Sequence, residues 1–134
     1  MKIMVCLDDK NGMAFNKRRQ SQDSVLRQKI SELCKEAPIY MSSYSATQFN
    51  GECNIVANDN FLTEAPNESY CFIENETVDP QIISELYIFK WNRKYPADLT
   101  FNFIPQKSGF KLIKTEDFKG SSHEKITLMI YERK

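Results

Sequence analysis

The apolar residues of this chain fall into short runs of strand length, and only one stretch repeats them at helical spacing. Residues 2–7, 39–41, 53–57, 70–73 and 85–91 are the strand-like runs. Leu26, Ile30, Leu33 and Cys34 fall on one face of a helix. Strands that alternate with helical or turn segments in the first half, followed by a strand-rich tail, define an α/β fold. The expectation is a single domain over residues 1–134 with a mixed sheet, flanking helices and an antiparallel C-terminal hairpin.

Local signals sharpen this pattern. Asn11-Gly12 marks a turn after the opening strand. Ser21 or Asp23 can cap the helix that follows, and Pro38 marks its exit. Residues 42–49 form a polar turn or short helix. Asp79-Pro80 opens another short helix with proline at its first position. Phe101-Asn102-Phe103 alternates like a strand, and Ile126, Leu128 and Ile130 share one face of a closing strand.

Composition then removes several function classes. Lys plus Arg and Asp plus Glu number 18 each, and this zero net charge argues against nucleic acid or an anionic membrane as partner. No apolar run approaches the ~20 residues of a membrane span. The N-terminus meets Asp8-Asp9 too soon for a signal peptide, so a cytoplasmic location is expected, as monomer or homodimer. The four cysteines form no Cys-x-x-Cys pair and read as reduced core thiols. His123 is the single histidine, which excludes metal sites built on several imidazoles, and no metal or cofactor is expected.

The order of these pieces resembles the dihydrofolate reductase family. Asp9-Lys10-Asn11-Gly12-Met13-Ala14-Phe15-Asn16 is similar to that family's mobile loop after its first strand. Ala37-Pro38-Ile39-Tyr40-Met41 and Asn54-Ile55-Val56 resemble its next strands. Leu86-Tyr87-Ile88 and Pro96-Ala97-Asp98-Leu99-Thr100-Phe101 resemble the later strand and the stretch after it. Ile130-Tyr131-Glu132-Arg133 is similar to the end of its closing hairpin. The resemblance is collinear and implies a dihydrofolate-reductase-like fold.

The positions that would carry reductase chemistry depart from the family pattern. Val25 stands where the resemblance implies the catalytic carboxylate, with Asp23 two residues early. Met41-Ser42-Ser43-Tyr44-Ser45 lacks the arginine that would meet the cofactor phosphate, at Ser43. Glu52 falls near the position of the arginine that would hold the folate tail. Glu74-Asn75 replaces the glycine pair that admits a pyrophosphate, and a carboxylate there repels a dianion. Phe15, Phe49 and these side chains are expected to fill part of the cleft. Reductase activity with NADPH is therefore not expected.

Four groups remain as candidates, each with a plainer alternative. Asp8, Asp9, Asn11 and Asn16 can bind a polar ligand at a strand's C-terminal edge, or stabilise a solvated turn. Lys17-Arg18-Arg19 can recognise an anion through arginine, or remain a mobile solvated loop. Trp91, Arg93 and Tyr95 have the composition of an interaction surface, or pack as a local cluster. Ser122-His123-Glu124 would alternate faces in a strand and not converge, which leaves His123 structural or exposed. The resulting expectation is a non-reductase domain for small-ligand binding or protein interaction, with Asp8, Asn11, Asn16 and Arg19 as ligand contacts. The alternative is an enzyme of another class, a hydrolase or a reductase-like protein, using Asp8, Asp9 or Asp23 as acid or base.

Overall fold

A computed structural model describes all of residues 1–134. The opening strand β1 (Lys2–Leu7) leads into a hairpin of β2 (Gly12–Phe15) and β3 (Arg18–Arg19), then helix α1 (Ser24–Cys34). Strand β4 (Ile39–Met41) is followed by α2 (Ser43–Ala46), β5 (Ile55–Ala57) and α3 (Phe61–Glu64). The chain continues through β6 (Tyr70–Ile73), a 3-10 turn at Pro80–Ile82, β7 (Glu85–Lys90) and β8 (Leu99–Thr100). A second 3-10 turn at Pro105–Lys107 precedes the closing pair β9 (Phe110–Phe118) and β10 (Ile126–Arg133).

Seven strands make one sheet in the order β5-β4-β6-β1-β7-β10-β9. β1 pairs in parallel with β6 and β7, and β4 pairs in parallel with β5 and β6. β10 runs antiparallel to both β7 and β9, so the C-terminal hairpin is the expected one. Both faces of this sheet are covered. Ile3, Val5, Leu7, Leu86 and Ile88 pack on one face beneath Met13, Ala14, Phe61 and Phe101. Met4, Phe72, Phe89 and Leu128 pack on the other beneath Leu26, Ile30 and Cys34 of α1. Period two in the strands and period 3.6 in α1 thus meet in one core.

Several local expectations change. Residues 12–19 form a hairpin rather than a polar loop, because Asn16 and Lys17 both take positive φ, 52° and 61°. Two such residues between paired Phe15 and Arg18 make the turn type whose twist suits a tight hairpin. Phe101 to Phe103 is not a strand; only Leu99–Thr100 pairs, with β2. Between β5 and β6, residues 58–69 contain the short helix α3. No helix is long and apolar enough to cross a membrane.

Candidate functional site

Parallel α/β sheets expose functional side chains where their strands end, because the loops there are free of pairing. Asp8 directly follows β1, Glu74 follows β6 and Trp91 follows β7, and all three are buried. The Asp8 carboxylate is not a solvated turn residue. It accepts from the amides of Gly12 (2.7 Å) and Lys10 (2.8 Å), from Gln20 Nε2 (3.0 Å) and from the Tyr95 amide (3.3 Å). Burial pushes its pKa up, yet these donors outweigh burial and hold it below the usual carboxylate range. Asp8 therefore fastens the start of the hairpin to the segment after β7. The adjacent Asp9 is exposed, and its backbone amide donates to the Arg93 carbonyl.

Asp23, of the two cap candidates in the sequence, is the one that caps α1, accepting from the amides of Val25 (2.9 Å) and Leu26 (3.2 Å). The same carboxylate accepts from the amides of Ser121 (2.9 Å) and Ser122 (2.8 Å). Its Oδ2 also meets His123 Nδ1 at 3.0 Å. Burial raises its pKa, but the Ser121, His123, Ser122 and Leu26 donors hold the carboxyl far below the usual range. Gly120 admits this arrangement, since a methyl group there would overlap the Asp23 carboxylate.

His123 is buried, at 4% exposure, and is not a surface residue. Its segment is a loop before β10, so the alternation of a strand does not govern it. With the Nδ1 proton donated to Asp23, the Nε2 lone pair faces two hydroxyls, Ser21 Oγ at 3.1 Å and Tyr95 Oη at 3.0 Å. Trp91 stacks on the ring at 4.5 Å between centroids and 24° between planes. Trp91 is only 3% exposed, so the expected Trp91–Arg93–Tyr95 surface does not form as one patch. Trp91 packs, Tyr95 joins the histidine, and the exposed Arg93 shares a surface recess with Trp91 but not with Tyr95.

A second network closes the space between the hairpin and β6. Arg19 pairs with Glu74, Nε to Oε2 at 3.0 Å, and Gln48 Nε2 donates to the same oxygen at 3.0 Å. Arg19 also lies over the Tyr44 ring at 4.3 Å and donates to the Tyr44 carbonyl. The loop from 17 to 19 is thus anchored, not freely solvated. The cleft is filled by Arg19, Glu74, Gln48 and Tyr44 rather than by Phe15, which is 45% exposed, or Phe49, which packs on Phe72.

The open space lies next to this network. A groove of about 660 Å³ is lined by Phe15, Asn16, Arg18, Arg19, Gln20, Tyr95 and Pro96. It brings together Asn16 and Arg19 with Tyr95. Asn11 is elsewhere, lining an apolar cavity of about 250 Å³ with Leu7, Lys90 and Tyr131. Ser21, Gln20 and His123 are site residues that the sequence reading did not single out as a group. The available signal was a lone histidine in a Gly-Ser-Ser-His turn and a Ser-x-Asp at a helix start.

The fold is a dihydrofolate-reductase-like α/β fold. Among solved structures, the chain is similar to dihydrofolate reductase from Enterococcus faecalis complexed with NADP(H) and RAB-propyl, with a TM-score of 0.63 and 8% sequence identity. The similarity covers 98% of this chain and 95% of that one, and at this identity it carries the fold alone. No family model matches the sequence, and no curated protein matches it.

The residues at the end of β6 do not fit a nicotinamide nucleotide. The amides of Glu74 and Asn75 both donate to Glu76 Oε1, at 3.0 and 3.3 Å, and the Ser43 amide donates to Asp59 Oδ1 at 2.8 Å. Donors that a pyrophosphate would need are already satisfied by the chain's own carboxylates. No group of three or more His, Cys, Asp and Glu is placed to hold a metal ion.

Proposed function

We propose that this protein is a ligand-binding domain that uses the reductase-like scaffold for a small oxyanion with a flat apolar body. The observation that carries this reading is the groove of about 660 Å³, in which Arg18 and Arg19 stand with the aromatic rings of Phe15 and Tyr95. Arg19 is committed to Glu74, but Arg18 is exposed and forms no ion pair. A planar guanidinium presents paired donors that match a carboxylate or phosphate. The exposed Phe15 ring offers apolar contact beside it.

Calorimetric titration with phenylacetate, phenyl phosphate and neutral phenylacetamide tests the reading. Saturable binding of an anion, weakened about tenfold by Arg18→Ala, is expected from the loss of one charge-assisted contact. Equal behaviour of the neutral amide and the anions, or indifference to Arg18→Ala, overturns it.

A further inference from the structure

We propose that Ser21, His123 and Asp23 form a hydrolytic centre that cleaves carboxylate-bearing esters held in the adjacent groove. The choice of substrate rests on the ligand-binding reading above; the chemistry of the centre does not. Three groups lie in a hydrogen-bonded line: Asp23 Oδ2 to His123 Nδ1 at 3.0 Å, and His123 Nε2 to Ser21 Oγ at 3.1 Å. That order gives a nucleophile, a base and a group that orients the base.

Each member is placed by a different part of the fold. Asp23 is fixed as the cap of α1 and by the amides of Ser121 and Ser122. The imidazole is held flat against Trp91. Ser21 sits on the irregular stretch between β3 and α1, half-buried, beside a cleft of about 10 Å³ that it shares with Arg19 and Gln20. Those two residues are also walls of the open groove.

A structural clamp between the β9–β10 loop and α1 would need only Asp23 and His123. The site has more than that. The second imidazole nitrogen faces the Tyr95 hydroxyl at 3.0 Å and, at 3.1 Å, a serine hydroxyl that has no other hydrogen-bond partner. The backbone amides of Ser21 and Gln22 also donate to no acceptor in the protein. They are free donors at the nucleophile itself, as an oxyanion forming there requires.

The reaction balances without an oxidant, reductant or metal. Ser21 Oγ bonds to the ester carbonyl carbon as its proton passes to His123 Nε2. The tetrahedral adduct collapses, the carbon–oxygen bond to the leaving group breaks, and His123 returns the proton to the departing alcohol. Water, deprotonated by His123, then attacks the acyl-serine and releases the carboxylic acid with a restored Ser21 hydroxyl. Asp23 stabilises the imidazolium at both stages and is not itself protonated.

The test uses para-nitrophenyl hemisuccinate, which carries a free carboxylate beside an activated ester, with para-nitrophenyl acetate as the neutral comparison. Saturable nitrophenolate release by the full chain, reduced to the buffer rate in Ser21→Ala and His123→Gln, is expected. A fluorophosphonate probe, followed by peptide mass mapping of the unmodified protein, should label Ser21; this needs no variant to fold. Release no faster than buffer, activity unchanged by Ser21→Ala, or a label at another residue overturns the proposal. Activity lost in Tyr95→Phe but kept in Ser21→Ala also overturns it, by making Tyr95 the reacting hydroxyl. A raised KM for the hemisuccinate in Arg18→Ala supports the groove as its seat. Equal turnover of both esters with full dependence on Ser21 supports the centre and rejects the groove reading alone.

Discussion

Asp23 and His123 stand 100 residues apart in sequence, yet the carboxylate Oδ2 and the imidazole Nδ1 are 3.0 Å apart. The contact ties the first turn of α1 to the loop between the last two strands. It is buried on both sides, so water does not screen it.

That burial has a pH consequence. Asp23 has a folded pKa far below its unfolded value of 3.8. A depressed carboxyl contributes stability that is present above the unfolded pKa and lost as pH falls below it. Urea denaturation as a function of pH should therefore show the native protein weakening below about pH 4, with a slope exceeding that of Asp23→Asn by up to ~1.4 kcal/mol per pH unit. Parallel acid limbs for the two proteins would refute the assignment.

Gly120 is required by proximity rather than by its own backbone angles. A methyl group at this position meets the Asp23 carboxylate and Ile126 Cδ1. Gly120→Ala should cost about 1–3 kcal/mol, the range for overpacking a rigid site. It should also reduce turnover of the hemisuccinate in parallel, since the carboxylate must move. Unchanged stability would mean that the loop yields freely.

Arg19 and Glu74 form an ion pair with side-chain exposures of 17% and 8%. Removing the cation as Arg19→Met strands a buried carboxylate and should cost about 3 kcal/mol. Replacing both partners with apolar residues should cost less than the sum of the single changes. A double-mutant cycle reads this directly, and a coupling near zero would show that solvent already screens the pair.

The hairpin turn stores strain at Lys17, whose φ is 61°. Glycine occupies this region without the side-chain clash of an L residue. Lys17→Gly should raise stability by about 0.5 kcal/mol after the larger chain entropy of glycine is subtracted. Thermal or chemical denaturation that shows a loss would mean that Lys17 makes a stabilising contact through its side chain.

Thiol chemistry offers an independent probe of the core. Burial pushes the Cys34 thiol up to about 12 and Cys71 up to about 11. Neither should react with a disulfide reagent in the native protein at mildly alkaline pH, because the thiolate is the reacting species. Their modification should follow global unfolding in denaturant. Rapid native labelling of either would place it at a frayed edge.

The sequence by itself determined the local architecture. β1, β4, β6, β7, β10 and α1 were legible because apolar periodicity is a short-range property of the chain. The Asp23 cap and the Pro80 turn were legible for the same reason, and the collinear resemblance extended these pieces to a fold. The β2–β3 hairpin was hidden because a turn with two positive φ angles normally announces itself by glycine, and here it uses Asn16 and Lys17. What only the tertiary structure decided is the site. Sheet order sets β6 and β7 on either side of β1, and so collects Asp8, Glu74 and Trp91 at adjacent strand ends. The loop before β10 then folds back on α1 and delivers His123 between Asp23, Ser21 and Tyr95. No periodicity records such a meeting, because it depends on distances between elements separated by most of the chain. The Glu74 carboxylate that looked like repulsion in the sequence became, with Arg19 in reach, one fixed point of the cleft, and Asp23, held by the Ser121 and Ser122 amides, is another.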